Sequence, residues 1–510
     1  MIFRDDRDIL DQFSNVKSSR STLEGVWRSV DRNFRPDPSG QQLNNAGVWA
    51  TSVAVSALFA YLTPPGTRWM MAVPDNLDDA KRPDVAKWLY WVRDAVFGYL
   101  TRGRLKLYSL LPGLYRQLVT AGMGVLCTEW SASDFHLFAR GYTEFYPMYD
   151  AYGNLVACYR EYVLQSHQAE KLFGKLPDNA PRGGNVMNNL TFQQCVYEDG
   201  TRWVSKHFYA NELMQQGFFF DFPWVLPRYQ IDEPGDPFSL LSPAIETVGD
   251  TRMLQALELV HLRAAQKATD PPVLAYRAAQ KLRGVALDPG VMIPSDRLFA
   301  TARRPEFEPV PASNPNVTWR ELERVERRVE RSFMVDVMRT LTSRGDSSPL
   351  KAEEVIGRRQ EGLSTFSPVV LRLGEEFLIP LCNRIYREMQ RQRFVPEAPA
   401  GVEPDKLRWT FTSAAAMAVR SSDIDALTGW LTRISPLLQV DPNAAKRVDI
   451  SYIMGQMAEL HGVDPAVMVD QDTFDEQAQM SEQIQAMQAV APAAADTAGA
   501  LKDLRTSGLL

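Results

Sequence analysis

Apolar positions recur at helical spacing over residues 20–34, with charged residues between them, and Pro36 and Pro38 close the run. A second helix is expected over about 42–62, before the break Thr63-Pro64-Pro65-Gly66. Residues 68–73 then read as a short strand. Residues 82–121 return to helix and carry Trp88, Tyr90 and Trp91. From about 122 to 230 the period falls to two. Residues 124–130, 145–148, 155–164, 191–198, 201–209 and 218–226 read as strands, with a short helix at 166–173 and a hairpin turn at Tyr152-Gly153-Asn154. This region is expected to be a mainly antiparallel β unit.

Two long helices follow around a Pro-rich insert. Ser242-Pro243 is an N-cap followed by proline at the first helical position. That helix should run to about Ala268 and stop before Asp270-Pro271-Pro272, with a stripe of Leu254, Leu257, His261, Ala264 and Ala268. The second is expected to start at Thr318, with Glu321 completing a capping box. Its stripe is Leu322, Val325, Val329, Phe333, Val337 and Leu341. Each helix has about 24–25 residues and is about 36 Å long at 1.5 Å per residue. Matched lengths suggest an antiparallel pair carrying a small distal module at 270–317.

Beyond them, residues 342–349 form a polar loop. A long helix is expected over about 350–392, kinked at Pro368 and Pro380. A linker at 396–404, a strand at 407–412 and helices at 421–438 and 442–461 complete the chain. Past Val469 the sequence turns to Gln, Ala and Met, which fits a helix needing a partner or disorder.

Composition narrows the function. With 510 residues the prior is three or four structural units, and 45% hydrophobic residues exclude a disordered chain. Lys+Arg 56 against Asp+Glu 62 gives 56 − 62 = −6, a poor basis for tight, sequence-blind binding to nucleic acid. Cys127, Cys158, Cys195 and Cys382 lie far apart, form no CxxC and suit a reducing compartment. The acidic N-terminus, MIFRDDRDILDQF, does not read as a signal peptide. Residues 46–62 are uncharged, but Thr51, Ser52 and Ser56 favour a buried core helix over a membrane span.

No Walker A motif, GxSxG elbow or HExxH is present, and Gly174-Lys175 is followed by leucine. The five histidines are dispersed, and His261 reads as a packed or interfacial residue rather than a metal ligand. Asp423 and Asp425 lack the rest of a calcium loop. No catalytic residue, metal site or cofactor is assigned. The Arg/Glu-rich face at 320–331 has two readings. It is a solvated face laced by pairs such as Glu323–Arg327, each worth about 0.3–0.5 kcal/mol, or a subunit contact whose charges set register.

The order of blocks resembles the head-to-tail connector, or portal, proteins of short-tailed (podovirus-type) bacteriophages. The resemblance is carried by SALFAYLTPPGTRWM within 46–71 and YREYVLQSHQAEKLFG at 159–174. It continues through FPWVLPRYQIDEPGDPFSLLSPAIETVGDTRMLQ and KATDPPVLA within 222–274, then 351–376 and LRWTFTSAAAMAVRS at 407–421. Where many relatives carry an aromatic-Gly pair, this chain has Phe238-Ser239-Leu240-Leu241.

The resemblance implies an α+β, elongated protomer with a mainly helical wing, stem and crown, an antiparallel β unit in the wing and a small α/β clip insert. The wing would span 1–241, the stem helices 242–269 and 318–341, the clip 270–317 and the tunnel loop 342–351. A kinked wing/crown helix plus strand would occupy 352–420, crown helices 421–469 and a low-complexity tail 470–510. It further implies a homo-oligomeric ring of about twelve subunits at one capsid vertex, assembled in the host cytoplasm and retained in the virion. Double-stranded DNA would pass through the ring, and the packaging ATPase would be a separate terminase motor. Further implied partners are major capsid and scaffolding proteins, tail adaptor proteins and internal core proteins at the crown.

A conduit must let DNA slide, and a net acidic chain with few channel cations suits that. Arg344 and Lys351, in the tunnel loop, are the candidate DNA contacts. Arg303 and Arg304 in the clip are candidates for contact with DNA or with a tail or motor protein. Leu322, Val325, Val329, Phe333 and Val337 are the candidate stem-packing and oligomer positions. The rival readings are a metal-dependent nuclease with dispersed carboxylates and a membrane-associated ring using residues 46–62.

Overall fold

The computed structural model describes residues 3, 5–76, 82–101, 105–131, 134–179, 188–231, 233, 237–238, 240–271, 273–275, 292–294, 307–309, 315–336, 366–413, 428–434, 453–454 and 457. The chain divides into two compact units. The larger comprises Met1–Trp69, Val96–Glu388 and Ser413–Ser421, and the smaller Met70–Ala95, Met389–Thr412 and Ser422–Leu510.

The chain opens with helices α1 (Asp6–Ser19), α2 (Ser21–Phe34) and α3 (Ala46–Leu62). Asp5 caps α1 by accepting from the backbone N of Asp8. Strand β1 (Met70–Pro74) and helix α4 (Pro83–Thr101) come next, then α5 (Leu107–Ala121). Helix α5 ends at Gly122, whose φ of 80° is the left-handed turn glycine accepts without strain. A Cβ on Gly124 would lie 2.6 Å from a Leu114 methyl, so a larger residue at this strand entry would have to displace that side chain from its place on α5.

The β unit contains β2 (Leu126–Ser131), β3 (Asp134–Ala139), β4 (Phe145–Tyr149), β5 (Leu155–Gln165), the short helix α6 (Ser166–Phe173), β6 (Asn189–Asp199), β7 (Arg202–Tyr209), β8 (Glu212–Phe219) and β9 (Trp224–Val225). Strands β4 to β8 form one antiparallel sheet in sequence order, and β3, β2 and β9 form a second. The expected strand over 218–226 is therefore two strands in different sheets. Pro223, which cannot donate to a ladder, lies at the break, and β9 crosses to pair with β2. Strand β3 was not expected, because the run 124–130 gives no sign of where its hairpin partner begins.

One core is shared by the two sheets and α2. Trp27, Cys127, Phe145, Cys158, Val196 and Trp224 are buried together, and the Trp27 indole donates to the Ala121 carbonyl at 3.0 Å. Arg20 is buried beside it. Its guanidinium lies 3.4 Å over the Tyr146 ring and donates to the carbonyls of Phe145 and Thr143, both at 2.8 Å. The four cysteines are buried thiols, and burial pushes every one up.

Helix α7 (Pro243–Thr269) leads to three short strands, β10 (Val273–Ala275), β11 (Met292–Pro294) and β12 (Phe307–Pro309). Strand β10 is central, parallel to β11 and antiparallel to β12. Helix α8 (Pro315–Ser332) returns. It starts three residues before the expected cap, because Pro315 suits a first helical turn. It is interrupted at Phe333-Met334, where Met334 takes a φ of 53°, and helical geometry resumes at 335–336. A continuous helix over 318–341 is thus corrected.

Helix α9 (Ser367–Leu373) carries Pro368 in its first turn, where its missing N–H costs nothing, and residues 350–365 of the expected helix lie outside the described residues. A π turn over Gly374–Leu378 joins it to α10 (Ile379–Arg391). Pro380 lacks the N–H that an α-helical ladder needs, and the wider turn before it absorbs that loss. In the smaller unit, β1 pairs antiparallel with β13 (Leu407–Phe411), and the Trp88 indole donates to the Pro396 carbonyl at 3.2 Å.

Candidate functional site

The feature that stands out from the compact β unit is the α7/α8 pair, with the three-stranded module β10–β12 at its end. Helix α7 is fixed at its start. The Ser242 hydroxyl accepts from Ile245 N at 3.3 Å and donates to the Thr120 carbonyl at 3.1 Å, pinning the N-terminus to the end of α5. Buried Thr247 and Thr251 satisfy their hydroxyls on carbonyls of their own helix.

Helix α8 faces α7 with Leu322, Val325 and Val329, and Phe333 follows just past its end. All four are buried within the single chain. Their hydrophobic face is therefore covered before any second copy arrives. From α7 the covered positions include Leu254 and Ala264, while Leu257 and His261 are half-buried and Ala268, expected on the same stripe, is exposed. Cross-helix polar contacts set the register. Arg328 pairs with Asp250 at 2.9 Å, and Ser332 donates to Glu246 at 3.0 Å. His261 Nδ1 meets the Thr318 hydroxyl at 3.1 Å, and the imidazole packs near Trp319, with centroids 5.7 Å apart. Thr318, read as a cap from sequence, thus serves as an interhelix contact.

The pair is tied to the N-terminal helices. Asn44 donates to Glu326 at 2.8 Å, and Gln255 accepts from the backbone N of Leu43 at 2.8 Å. On the Arg/Glu face, Arg327–Glu323 and Arg324–Glu321 close at 2.6 and 2.8 Å in exposed positions.

The other face of α7 is the feature sequence reasoning missed. Gly249, Met253, Ala256 and Val260 recur at 4-3-4 spacing and are all exposed, Met253 at 40% and Val260 at 50%. Leu259 and Leu262 are exposed beside them. The signal was present as apolar residues on both sides of the helix, which cancel any single stripe.

A second cluster holds the β unit to the α9–α10 segment. Arg228 donates to Glu376 through Nη2 at 2.6 Å and Nε at 3.1 Å, and its guanidinium lies 4.0 Å over the Tyr149 ring. Arg384 and Arg387 both bind Asp221. These groups line an open cleft of about 640 Å³.

Arg303, Arg304, Val337, Arg344 and Lys351 lie outside the described residues, as do the tunnel loop and the tail over 470–510. Among the described residues no group of three or more His, Cys, Asp or Glu could hold a metal ion, and no helix is long and apolar enough to cross a membrane. Helix α3, weighed above as a span, buries Ala50, Ala54, Leu58 and Leu62 within the protein.

The described residues form an α+β fold in which a helical pair carries a terminal sheet module and one outward apolar row. The chain belongs to the bacteriophage head to tail connecting protein family, whose pattern matches residues 7–469. It is 25% identical to the portal protein of Salmonella phage epsilon15, over 98% of this chain and 92% of that one. It is 23% identical to the probable portal protein of Bordetella phage BPP-1, over 98% of this chain and 96% of that one. Among solved structures, a chain of the virion of the native gene transfer agent particle covers 79% of this chain and 89% of its own, at 14% identity and a TM-score of 0.36.

Proposed function

We infer that this chain is a phage portal protein. It forms the ring at the unique capsid vertex through which double-stranded DNA is packaged and ejected, nucleates head assembly and joins head to tail. The observation that carries this reading is the match to the connector family over residues 7–469, together with portal relatives aligned over 98% of the chain.

In this reading α7 and α8 are the stem, β10–β12 belong to the clip, and residues 342–351 are the tunnel loop. The buried row of α8 makes the hairpin rigid. The outward row of α7 is then the part of the stem that a second copy covers, since exposed apolar rows mark protein contacts. Arg344 and Lys351 touch the DNA in transit, and Arg303 and Arg304 meet DNA, the motor or a tail protein. The chain does no chemistry of its own. The terminase motor drives DNA through it, and capsid, scaffolding, tail and core proteins bind its outer surfaces.

The net charge of −6 supports a lining over which duplex slides, because strong phosphate neutralisation would hold it. Shortening residues 343–348 tests the assignment in phage. Rings should form and heads should fill, but packaged DNA should be retained poorly. Normal yields of full, stable heads would overturn the tunnel-loop role.

A further inference from the structure

The five-stranded sheet ends at β8, which among the described residues pairs with β7 alone. No backbone bond outside that ladder reaches residues 212–219 among the described residues. One long side of β8 therefore presents N–H and C=O groups on which a further strand can pair. Lysine, proline or an inward charge ordinarily blunts such an edge. Strand β8 reads ELMQQGFF, with Glu212 at its start and neither charge nor proline after it. Past the register shift near Met214, Gln215–Phe219 run unbroken opposite His207–Trp203.

The two faces of this edge differ. On one, Leu213 opposes Phe208 and Phe218 opposes Val204, which is buried with Ile9 and Phe13 of α1. Leu213 and Phe218 are themselves exposed, Phe218 at 57%. On the other face, Gln215 opposes His207 and Gly217 opposes Ser205. No atom lies within 4 Å of where a Gly217 Cβ would stand. That face opens into a cavity of about 700 Å³, walled by the end of β3 and by α6. A polar row crosses its floor, where Arg160, Gln194, His207 and Gln215 are successive register partners on β5, β6, β7 and β8. Arg160 is held by Glu144 at 3.1 Å, and Glu129 at the wall accepts from the Trp224 indole at 3.0 Å. Arg140 and Lys171 line the same cavity, and among the described residues neither forms an ion pair. Burial and the Arg160 charge hold the His207 imidazole, one strand in from the edge, down to about 4.

We propose that β8 receives an extended segment of a partner protein as a sixth strand, with acidic side chains turned to the cavity and apolar ones to the Phe218 face. Strand addition draws affinity from main-chain hydrogen bonds and specificity from pockets for alternate side chains. Gly217 leaves room for a long side chain crossing above it, and Arg140 and Lys171 make the cavity attractive to a carboxylate. Leu213 and Phe218 meet the apolar residues as cross-strand neighbours. A second β8 is the poorer occupant, because past Glu212 it carries no carboxylate to answer those cations.

Titration of the full chain with a capped peptide alternating Glu and Val tests this, beside a Lys/Val peptide and a fully N-methylated Glu/Val peptide. The Glu/Val peptide should bind at least about tenfold more tightly than either control, and should slow amide hydrogen exchange across residues 212–219. Gly217→Glu should abolish that binding by filling the space with a like charge. Arg140→Ala and Lys171→Ala should each weaken it by about fivefold or more. A Gly217 side chain meets no atom and both cations are exposed, so these variants should unfold at the wild-type midpoint. Equal binding of the methylated peptide would mean a bare charge patch, and equal binding of the Lys/Val peptide an edge without charge selection. Exchange at 212–219 that slows with protein concentration alone would mean that a second copy covers the edge. Any of these results, or no binding at millimolar peptide, would overturn the proposal.

Discussion

Phe34 and Phe333 stack with ring centroids 5.6 Å apart and planes 26° from parallel. Phe34 closes α2, and Phe333 lies in the turn that interrupts α8, so one aromatic pair joins the N-terminal helices to the end of α8. Both rings are buried. Phe333→Ala should destabilise the chain by about 3–5 kcal/mol, the usual cost of deleting a buried phenyl ring. Phe333→Glu should prevent soluble folding, because it buries a charge without a partner. Denaturant midpoints check the first, and soluble yield the second. A wild-type midpoint for Phe333→Ala would show that the end of α8 is not held here.

The Arg228–Glu376 pair is largely buried and doubly bonded. Glu376→Gln leaves the Arg228 charge without its counter-ion and should cost about 3–5 kcal/mol. The double variant Arg228→Met/Glu376→Leu should lose less, since it removes both buried charges together. Chemical denaturation of Arg228→Met, Glu376→Leu and the double variant measures the coupling. Equal losses in all three would contradict a charge-based clamp.

Burial, with the nearby Arg160 charge, lowers the His207 pKa from 6.5 to about 4. The unfolded chain then binds more protons than the folded one between these values, so stability rises with pH across that window. As pH falls from 6.5 toward 4, this one group should weaken the fold by up to about 1.4 kcal/mol per pH unit. His207→Gln should flatten that part of the stability–pH curve. An unchanged slope would assign the acid sensitivity to other groups.

Helix α7 offers a contrast within one element. Met253→Asp and Val260→Asp fall on exposed positions and should leave the monomer's unfolding midpoint close to wild type while blocking ring formation. Val329→Asp, on the buried face of α8, should lower the midpoint itself. Light scattering beside thermal unfolding separates the two effects. Rings formed normally by Met253→Asp/Val260→Asp would remove the outward row from the subunit contact.

Much of the architecture was legible because its boundaries are chemical. Ser242-Pro243 and Asp270 bracket α7 where the cap and the exit were read, and the period-two segments became the antiparallel unit. The misplaced boundaries have local causes. Pro223 splits the aromatic-rich run over 218–226, Pro315 starts α8 ahead of its Thr318 signal, and a π turn takes up Pro380. The functional surfaces were less legible. The outward row of α7 is hidden by apolar residues on the helix's other side. The polar row Arg160–Gln194–His207–Gln215 exists only once four strands pair, so no spacing along the chain announces it.

The most direct test of the portal account is native mass spectrometry of the purified chain, co-expressed with scaffolding protein, with electron-microscope class averages of the same sample. The account predicts closed rings of about twelve subunits with an open central bore. A chain that stays a compact dimer under those conditions, and cleaves DNA, would contradict it.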